Sequence, residues 1–218
     1  WSALGADIIR QHPMYPFVML ELETARGCSR CVTGGCSFCT EPFYGMPRQR
    51  EASGIFAETA ALYEAGARHF RLGRQPDLLA YGVSGGEFPK PDADKIRCLF
   101  SGIREKAPDL KTLHIDNVNP GTIARHEDAA RDALAEIVAG HTAGDIAAFG
   151  IESADQAVVE ANNLKGSADD IFRAVEIVNE VGAVRNKGIP ELLPGLNFIS
   201  GLAGETEQTF AENKAFRK

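Results

Sequence analysis

His69-Phe70-Arg71-Leu72-Gly73, then Ile96, Leu99, Phe100 and Ile103, then Thr112-Leu113-His114-Ile115-Asp116-Asn117: the stretch from His69 to Asn117 reads strand, helix, strand. The first and last runs are short and rich in β-branched and aromatic residues. The middle four have the i, i+3, i+4, i+7 spacing that puts apolar side chains on one helical stripe. Two strands joined by a helix are expected to be parallel, with a right-handed crossover.

The same alternation extends in both directions. Upstream, Phe17-Val18-Met19-Leu20-Glu21-Leu22-Glu23-Thr24 predicts a first strand, and Ile55, Thr59, Leu62 and Tyr63 predict a helix stopped at Gly66. Downstream, a helix around Ala133 to Ala139 leads to a strand at Ile146-Ala147-Ala148-Phe149-Gly150-Ile151-Glu152. Ser167 is positioned as an N-cap, with Asp169 and Asp170 in the first turn and Ile171, Val175 and Val178 as the buried stripe up to Gly182. A fifth strand is expected within Gly195 to Gly201, and an amphipathic helix from Glu205 to Lys218. Five βα units in succession define an α/β fold with a parallel sheet. Pattern alone leaves both a curved barrel and a doubly wound sheet open.

The 218 residues suffice for one sizeable core. With 30 acidic against 23 basic side chains the net charge is −7, which argues against a general nucleic-acid binder held by a basic surface. No apolar run approaches the ~20 residues of a membrane-spanning helix, and no secretory leader is visible. The chain is therefore expected to be cytoplasmic, without a membrane partner. Trp1 to Pro16 are read as the lead-in of a longer protein and residues 17–218 as its α/β domain, incomplete at the C-terminus.

Four of the five cysteines, Cys28, Cys31, Cys36 and Cys39, crowd into the loop after the first strand. In a reducing compartment such a cluster indicates metal rather than disulfides. Zinc ribbons separate their cysteine pairs by about 12–20 residues, whereas four residues lie between Cys31 and Cys36. The tighter spacing suits an iron–sulfur cluster wrapped by one loop, with Gly34 and Gly35 permitting the wrap. On spacing alone zinc stays open, as do three ligands against four. Cys98, beside the apolar stripe of its helix, is expected to be structural.

Arg26-Gly27-Cys28, followed by Cys36-Ser37-Phe38-Cys39, resembles the signature of the radical S-adenosylmethionine superfamily, with Phe38 in its aromatic slot. The first interval departs from the usual Cys-x-x-x-Cys, since seven residues separate Cys28 from Cys36. Further along, Phe149-Gly150-Ile151-Glu152-Ser153 and Asn162-Asn163-Leu164-Lys165-Gly166 are similar to the branch shared with methylthiotransferases and elongator-type enzymes. So is Asn197-Phe198-Ile199-Ser200-Gly201-Leu202-Ala203-Gly204-Glu205-Thr206, with Ala203 where proline is usual. The Gly-Gly-Cys-Ser-Phe-Cys-Thr-Glu-Pro run at residues 34–42 also resembles an archaeal-type group that carries a C-terminal helix-hairpin-helix.

The resemblance implies a partial (βα)6-type TIM barrel, truncated at both ends, with its site at the carboxyl ends of the strands. It implies a [4Fe–4S] cluster on Cys28, Cys36 and Cys39, with Cys31 the contender for the first place. It further implies S-adenosyl-L-methionine, a low-potential electron donor, and a 5′-deoxyadenosyl radical that abstracts hydrogen from a nucleic acid or a small metabolite. Carried over position by position, the cofactor contacts fall on Phe38, Gly73, Arg74, Asp116, Glu152, Ser153 and Ser200. The second-strand motif lacks its usual acid, and Gly73-Arg74-Gln75 stands there instead, so Arg74 is free to meet a carboxylate or phosphate. Glu152 has a plainer reading as a salt-bridged strand-end acid, and Asp116 and Asn117 as turn caps. His114 reads as a core histidine. Arg48, Arg50, Arg71 and Arg74 form either a basic mouth or separate solvated side chains. The Gly/Pro-rich residues 81–91 are a candidate lid by position. The rival function is a non-catalytic module with four cysteine ligands to zinc or iron–sulfur, binding RNA or carrying electrons.

Overall fold

The structure is a computed structural model that describes residues 1–164, 166–186 and 188–216. Lys165 of the Asn162–Gly166 motif and the last two residues of the expected C-terminal helix lie outside that range.

Strand β1 (Met19–Glu23) is followed by a two-residue antiparallel ribbon, β2 (Ala25–Arg26) with β3 (Arg48–Gln49), which encloses the cysteine loop. Then come α1 (Ala52–Glu64), β4 (His69–Gly73), α2 (Ala93–Lys106), β5 (Thr112–Ile115), α3 (Pro120–Arg125) and α4 (Glu127–Gly140). The chain continues through β6 (Asp145–Glu152), α5 (Gln156–Ala161), α6 (Ala168–Gly182), β7 (Leu192–Phe198) and α7 (Glu207–Phe216). β1, β4 and β5 are parallel, with Glu21 opposite Arg71 and Arg71 opposite His114. β6 and β7 are parallel, with Phe149 opposite Leu196. A bridge between Asn117 and Ala148 joins the two groups. The five long strands thus follow chain order, as βα units with short connections require.

Alternation along each strand separates two faces. Leu22, Phe70, Leu72, Leu113, Ile115, Ala147, Phe149 and Leu192 are buried and belong to one core with Ile55, Leu99, Phe100, Ile103, Leu134, Ile137, Ile177 and Val178 of the helices. Each of these leucine, isoleucine, valine and phenylalanine side chains contributes about 1.5–3 kcal/mol by leaving water. Glu21, Arg71, His114, Gly150 and Glu152 occupy the alternate positions and are only partly covered or exposed.

Where β5 and β6 part, a side chain substitutes for the ladder. The Asp145 carboxylate accepts the Ile115 N–H at 3.0–3.1 Å, and His141 Nδ1 holds it from behind at 2.8 Å. Both residues are buried, and the other ring nitrogen of His141, Nε2, has no hydrogen-bond partner among the described residues and faces the Glu191 carboxylate at 3.8 Å.

The boundaries differ from the sequence reading in informative places. β4 coincides with expectation, and Ser167 caps α6 by accepting the Asp170 N–H at 3.1 Å. β7 lies three residues earlier than expected, because buried Leu192 anchors it and Pro194 is tolerated in an edge strand. The short α3 and α5 were not anticipated. Each is opened by a polar side chain accepting a backbone N–H, Asn119 from Gly121 and Asp155 from Ala157. Cys98 is exposed, so its expected place in the core is corrected: the α2 stripe passes through its neighbour Leu99. The first sixteen residues contribute Ala6 and Ile9 to the core, and Arg10 and Tyr15 each donate to the Ala65 carbonyl at the end of α1. Among the described residues no helix is long and apolar enough to cross a membrane.

Candidate functional site

The segments leaving the carboxyl ends of β1, β4, β5 and β6 surround a cavity of about 440 Å³. This is where parallel α/β proteins bind ligands, because loops rather than ladders occupy that edge. Cys28, Cys36, Cys39 and Phe38 come from the first loop, Arg74 from the second, Asp116 from the third and Glu152 from the end of β6. Cys31 is not part of the lining.

The cysteine loop is held by specific contacts rather than by burial. Ser29–Thr33 form a 3-10 turn, which Gly34 ends at φ 86°. Gly35 follows at φ 72°, and a Cβ there would fall 2.3 Å from Pro42 Cγ. The Glu41 carboxylate accepts the Gly27 N–H at 2.7 Å, and the Cys28 N–H donates to Gly45 O at 3.0 Å. Arg26, which opens the motif, pairs with Glu23 at 2.6–2.8 Å, and that hydrogen bond raises its pKa further.

The Asn162-Asn163 pair stitches this loop to the β6 side. Asn162 Oδ1 accepts from Ser37 Oγ at 2.8 Å and from Ala203 N at 3.2 Å. Its Nδ2 donates to Val158 O and Ala203 O, both at 2.8 Å. Asn163, at φ 48°, donates to Thr33 O at 2.9 Å and Gly35 O at 2.7 Å. The cysteine loop, the Asn162–Gly166 motif and the Asn197–Thr206 motif thus meet in one hydrogen-bonded knot.

Two lining residues have unusual backbones. Arg74 (φ 59°) and Glu152 (φ 67°) are left-handed non-glycine residues at strand ends. Such conformations cost about 1–3 kcal/mol and concentrate at functional positions. A register shift between Gly150 and Glu152 turns the Glu152 side chain back, and Oε1 lies 2.6 Å from where a Cβ on Gly150 would be. Arg74 is exposed, and among the described residues no hydrogen bond or ion pair engages its guanidinium. Asp116 is paired with Arg71, and Arg50 with Glu58, so of the four arginines expected at a basic mouth Arg74 alone lines the cavity.

Three sequence candidates fall outside the lining. Gly73 gives its carbonyl to Thr24 N at 3.3 Å, with the Glu21 carboxyl 2.6 Å from its would-be Cβ. Ser153 is buried, and its hydroxyl accepts the Asp155 N–H at 3.2 Å. Ser200 is exposed beyond β7. Conversely, Glu21, Arg30, Gln75, Asn117 and Asn119 line the cavity. Glu21 was legible from its alternation with Leu20 and Leu22. Arg30 carried no sequence signal.

Residues 81–91 supply one wall of an adjoining cavity of about 140 Å³, which shares Cys28, Pro76 and Asn119 with the first. Burial, with Glu51 nearby, pushes the Tyr81 phenol up to about 12, and its O–H donates to Arg50 O at 3.0 Å. Glu87 ties this segment to the cysteine loop through Arg30 at 3.2 Å.

No family model matches the chain. It is 47% identical over 223 residues to an uncharacterized protein of Methanocaldococcus jannaschii, covering all of this chain and 41% of that one. It is 42% identical over 217 residues to an uncharacterized protein of Archaeoglobus fulgidus, covering 99% of this chain and 40% of that one. It is also similar, at 27% identity over 205 residues, to the ribosomal protein uS12 methylthiotransferase RimO of Syntrophotalea carbinolica, with coverages of 92% and 39%. The chain therefore spans about two fifths of the length of these curated relatives.

Proposed function

We propose that this chain is the cofactor-binding part of a radical S-adenosylmethionine enzyme, its five parallel strands forming the wall of a partial (βα)6-type barrel. The observation that carries the reading is the selection among cysteines: Cys28, Cys36 and Cys39 line one cavity and Cys31 does not. The similarity to a methylthiotransferase supports it.

Among the described residues no three His, Cys, Asp or Glu side chains are already grouped to hold a metal ion. Loading therefore entails a rearrangement that brings the three thiols together. The donor set nonetheless suits the group: three soft sulfur ligands on a glycine-bearing loop, lining one cavity with a partly covered cation, Arg30. When bound, a [4Fe–4S] cluster supplies the electron, drawn from a low-potential donor, that cleaves S-adenosylmethionine to methionine and a 5′-deoxyadenosyl radical. The protein's own residues bind and orient. Arg74 offers an unshared guanidinium to a carboxylate or phosphate, Glu152 and Asp116 accept hydrogen bonds, and Phe38 supplies apolar cover. The substrate is a nucleic acid or a small metabolite.

The test is anaerobic reconstitution of the intact protein followed by dithionite and S-adenosylmethionine. Release of 5′-deoxyadenosine is expected, together with retention of iron in Cys31→Ala and its loss in Cys28→Ala. A loaded protein that releases no nucleoside, or equal iron loss in both variants, refutes the reading.

A further inference from the structure

Asn119 lies past the end of β5 and opens α3. It is 5% exposed and, with Cys28 and Pro76, borders both the cavity of about 440 Å³ and the adjoining one of about 140 Å³. Its backbone is fixed, because Asp77 accepts its N–H at 3.2 Å while also accepting from Leu79 N and Thr122 Oγ1. The side chain is oriented too. Oδ1 accepts the Gly121 N–H at 3.1 Å, so the other end of the amide is the donor Nδ2. Among the described residues Nδ2 has no hydrogen-bond partner. Nor is it sealed off, since the enclosed side-chain atoms without a partner are Arg30 Nε, His141 Nε2 and Glu205 Oε1. The open surface of Nδ2 therefore faces the cavities that Asn119 borders.

A rigid donor in a nearly buried wall selects an acceptor. A neutral amide selects a neutral one, having no charge to offset the desolvation of an anion. The smaller cavity agrees. Among the described residues its lining holds no Arg, Lys or His, and its two carboxylates are engaged, Asp77 by the bonds above and Glu87 by Arg30. Ala25, Met46, Pro47 and Val83 give it apolar walls, while Ser29 and Ser84 add hydroxyls that make no hydrogen bond among the described residues. A cavity of roughly 150 Å³ accepts one six-membered ring. Apolar faces with a polar edge describe a pyrimidine-type base. We propose that this cavity beside Cys28 is the substrate subsite, where Asn119 Nδ2 donates to a ring carbonyl of an uncharged pyrimidine-type base, an inference that rests on the function proposed above. The ring stands at the junction with the cysteine cavity, where a substrate meets the cofactor. A purine is too large for it, and a carboxylated ring finds no cation in the lining.

The experiment is ligand-observed saturation-transfer NMR on the intact, anaerobically reconstituted protein saturated with S-adenosylmethionine, with uracil as the probe. Asn119→Ser keeps a capping oxygen for Gly121 and removes the donor; Asn119→Asp keeps size and cap but presents an acceptor. Uracil is expected to bind the wild type and to bind both variants about tenfold more weakly, the worth of one hydrogen bond. Cluster iron and retention of S-adenosylmethionine are expected to be unchanged, and hypoxanthine and orotate to give no signal. Uridine and a single-stranded oligouridylate are then compared: tighter binding of the strand assigns the base to a polynucleotide, equal binding to a free nucleoside. No uracil signal, equal affinity in the wild type and both variants, or orotate binding as well as uracil overturns the subsite and leaves a cluster-bearing enzyme intact. A protein that takes no cubane cluster yet binds uracil through Asn119 overturns the underlying function and keeps the binding site.

Discussion

Asn162→Ala tests whether the knot that ties the cysteine loop to α5 and to the segment after β7 is structural support. Asn162 is buried, and its amide makes four hydrogen bonds, to Ser37, Val158 and both backbone groups of Ala203. A net value of about 1 kcal/mol each sets an upper figure of about 4 kcal/mol. The Ser37 and Ala203 groups are only partly buried and regain water, while Val158 O keeps the Asn162 N–H at 3.1 Å. The expected loss is therefore about 2–3 kcal/mol, read as a shift in urea midpoint at constant slope. Asn163→Gly is the contrast. It keeps the left-handed backbone and removes bonds that are mostly exposed, so about 1 kcal/mol is expected. Limited proteolysis locates the effect, since Asn162→Ala should expose the segment between Cys28 and Gly45 before the rest of the chain. A change below about 0.5 kcal/mol, or destabilisation with that segment still protected, would sink the argument.

Arg74→Gly relieves a left-handed residue and should leave stability equal or up to about 1 kcal/mol higher, while weakening retention of S-adenosylmethionine in equilibrium dialysis. Unchanged retention would remove Arg74 from the site. Gly182→Ala puts a methyl 2.3 Å from Leu192 O, forces α6 off β7, and should cost about 1–3 kcal/mol in thermal or chemical unfolding. Hydrogen bonds from Arg173, with Arg131 adding to them, hold the Glu127 carboxyl down to about 2. A depressed carboxylate contributes stability that is complete above the ordinary glutamate range near ~4.5 and is lost as pH falls toward 2. Melting temperatures of the wild type should accordingly fall more steeply between pH 5 and 2 than those of Glu127→Gln, and parallel curves would refute the assignment.

Much of the frame was legible because it depends on periodicity. His69 to Gly73 and the α2 stripe needed only spacing, and Ser167 needed only its position before an apolar run. The site was legible in part. Cys28, Cys36, Cys39, Phe38, Arg74, Asp116 and Glu152 do share a cavity, but Gly73, Ser153 and Ser200 do not line it. Ser153 illustrates why: a serine just past a strand end is as well suited to capping the next turn as to facing a ligand, and only the Asp155 N–H decides. Arg30 illustrates the converse. Its importance comes from Glu87 and Asn163, partners far away in sequence that no local pattern announces.

The Asp145 clasp has a mechanical side. Between β4 and β5 a regular ladder resists shear, but between β5 and β6 that task falls to a bridge at Asn117 and Ala148, to a carboxylate pinned by His141, and to Thr142, which exchanges hydrogen bonds with the Leu113 backbone at 3.0–3.1 Å. The cavity straddles this seam, with the cysteine loop, Arg74 and Asp116 on one bank and Gly150 and Glu152 on the other. Its width is thus set by a side-chain hinge rather than by a continuous sheet. Asp145→Asn, outside the lining but bonded to Ile115 beside lining Asp116, would loosen the span across which a ligand must reach.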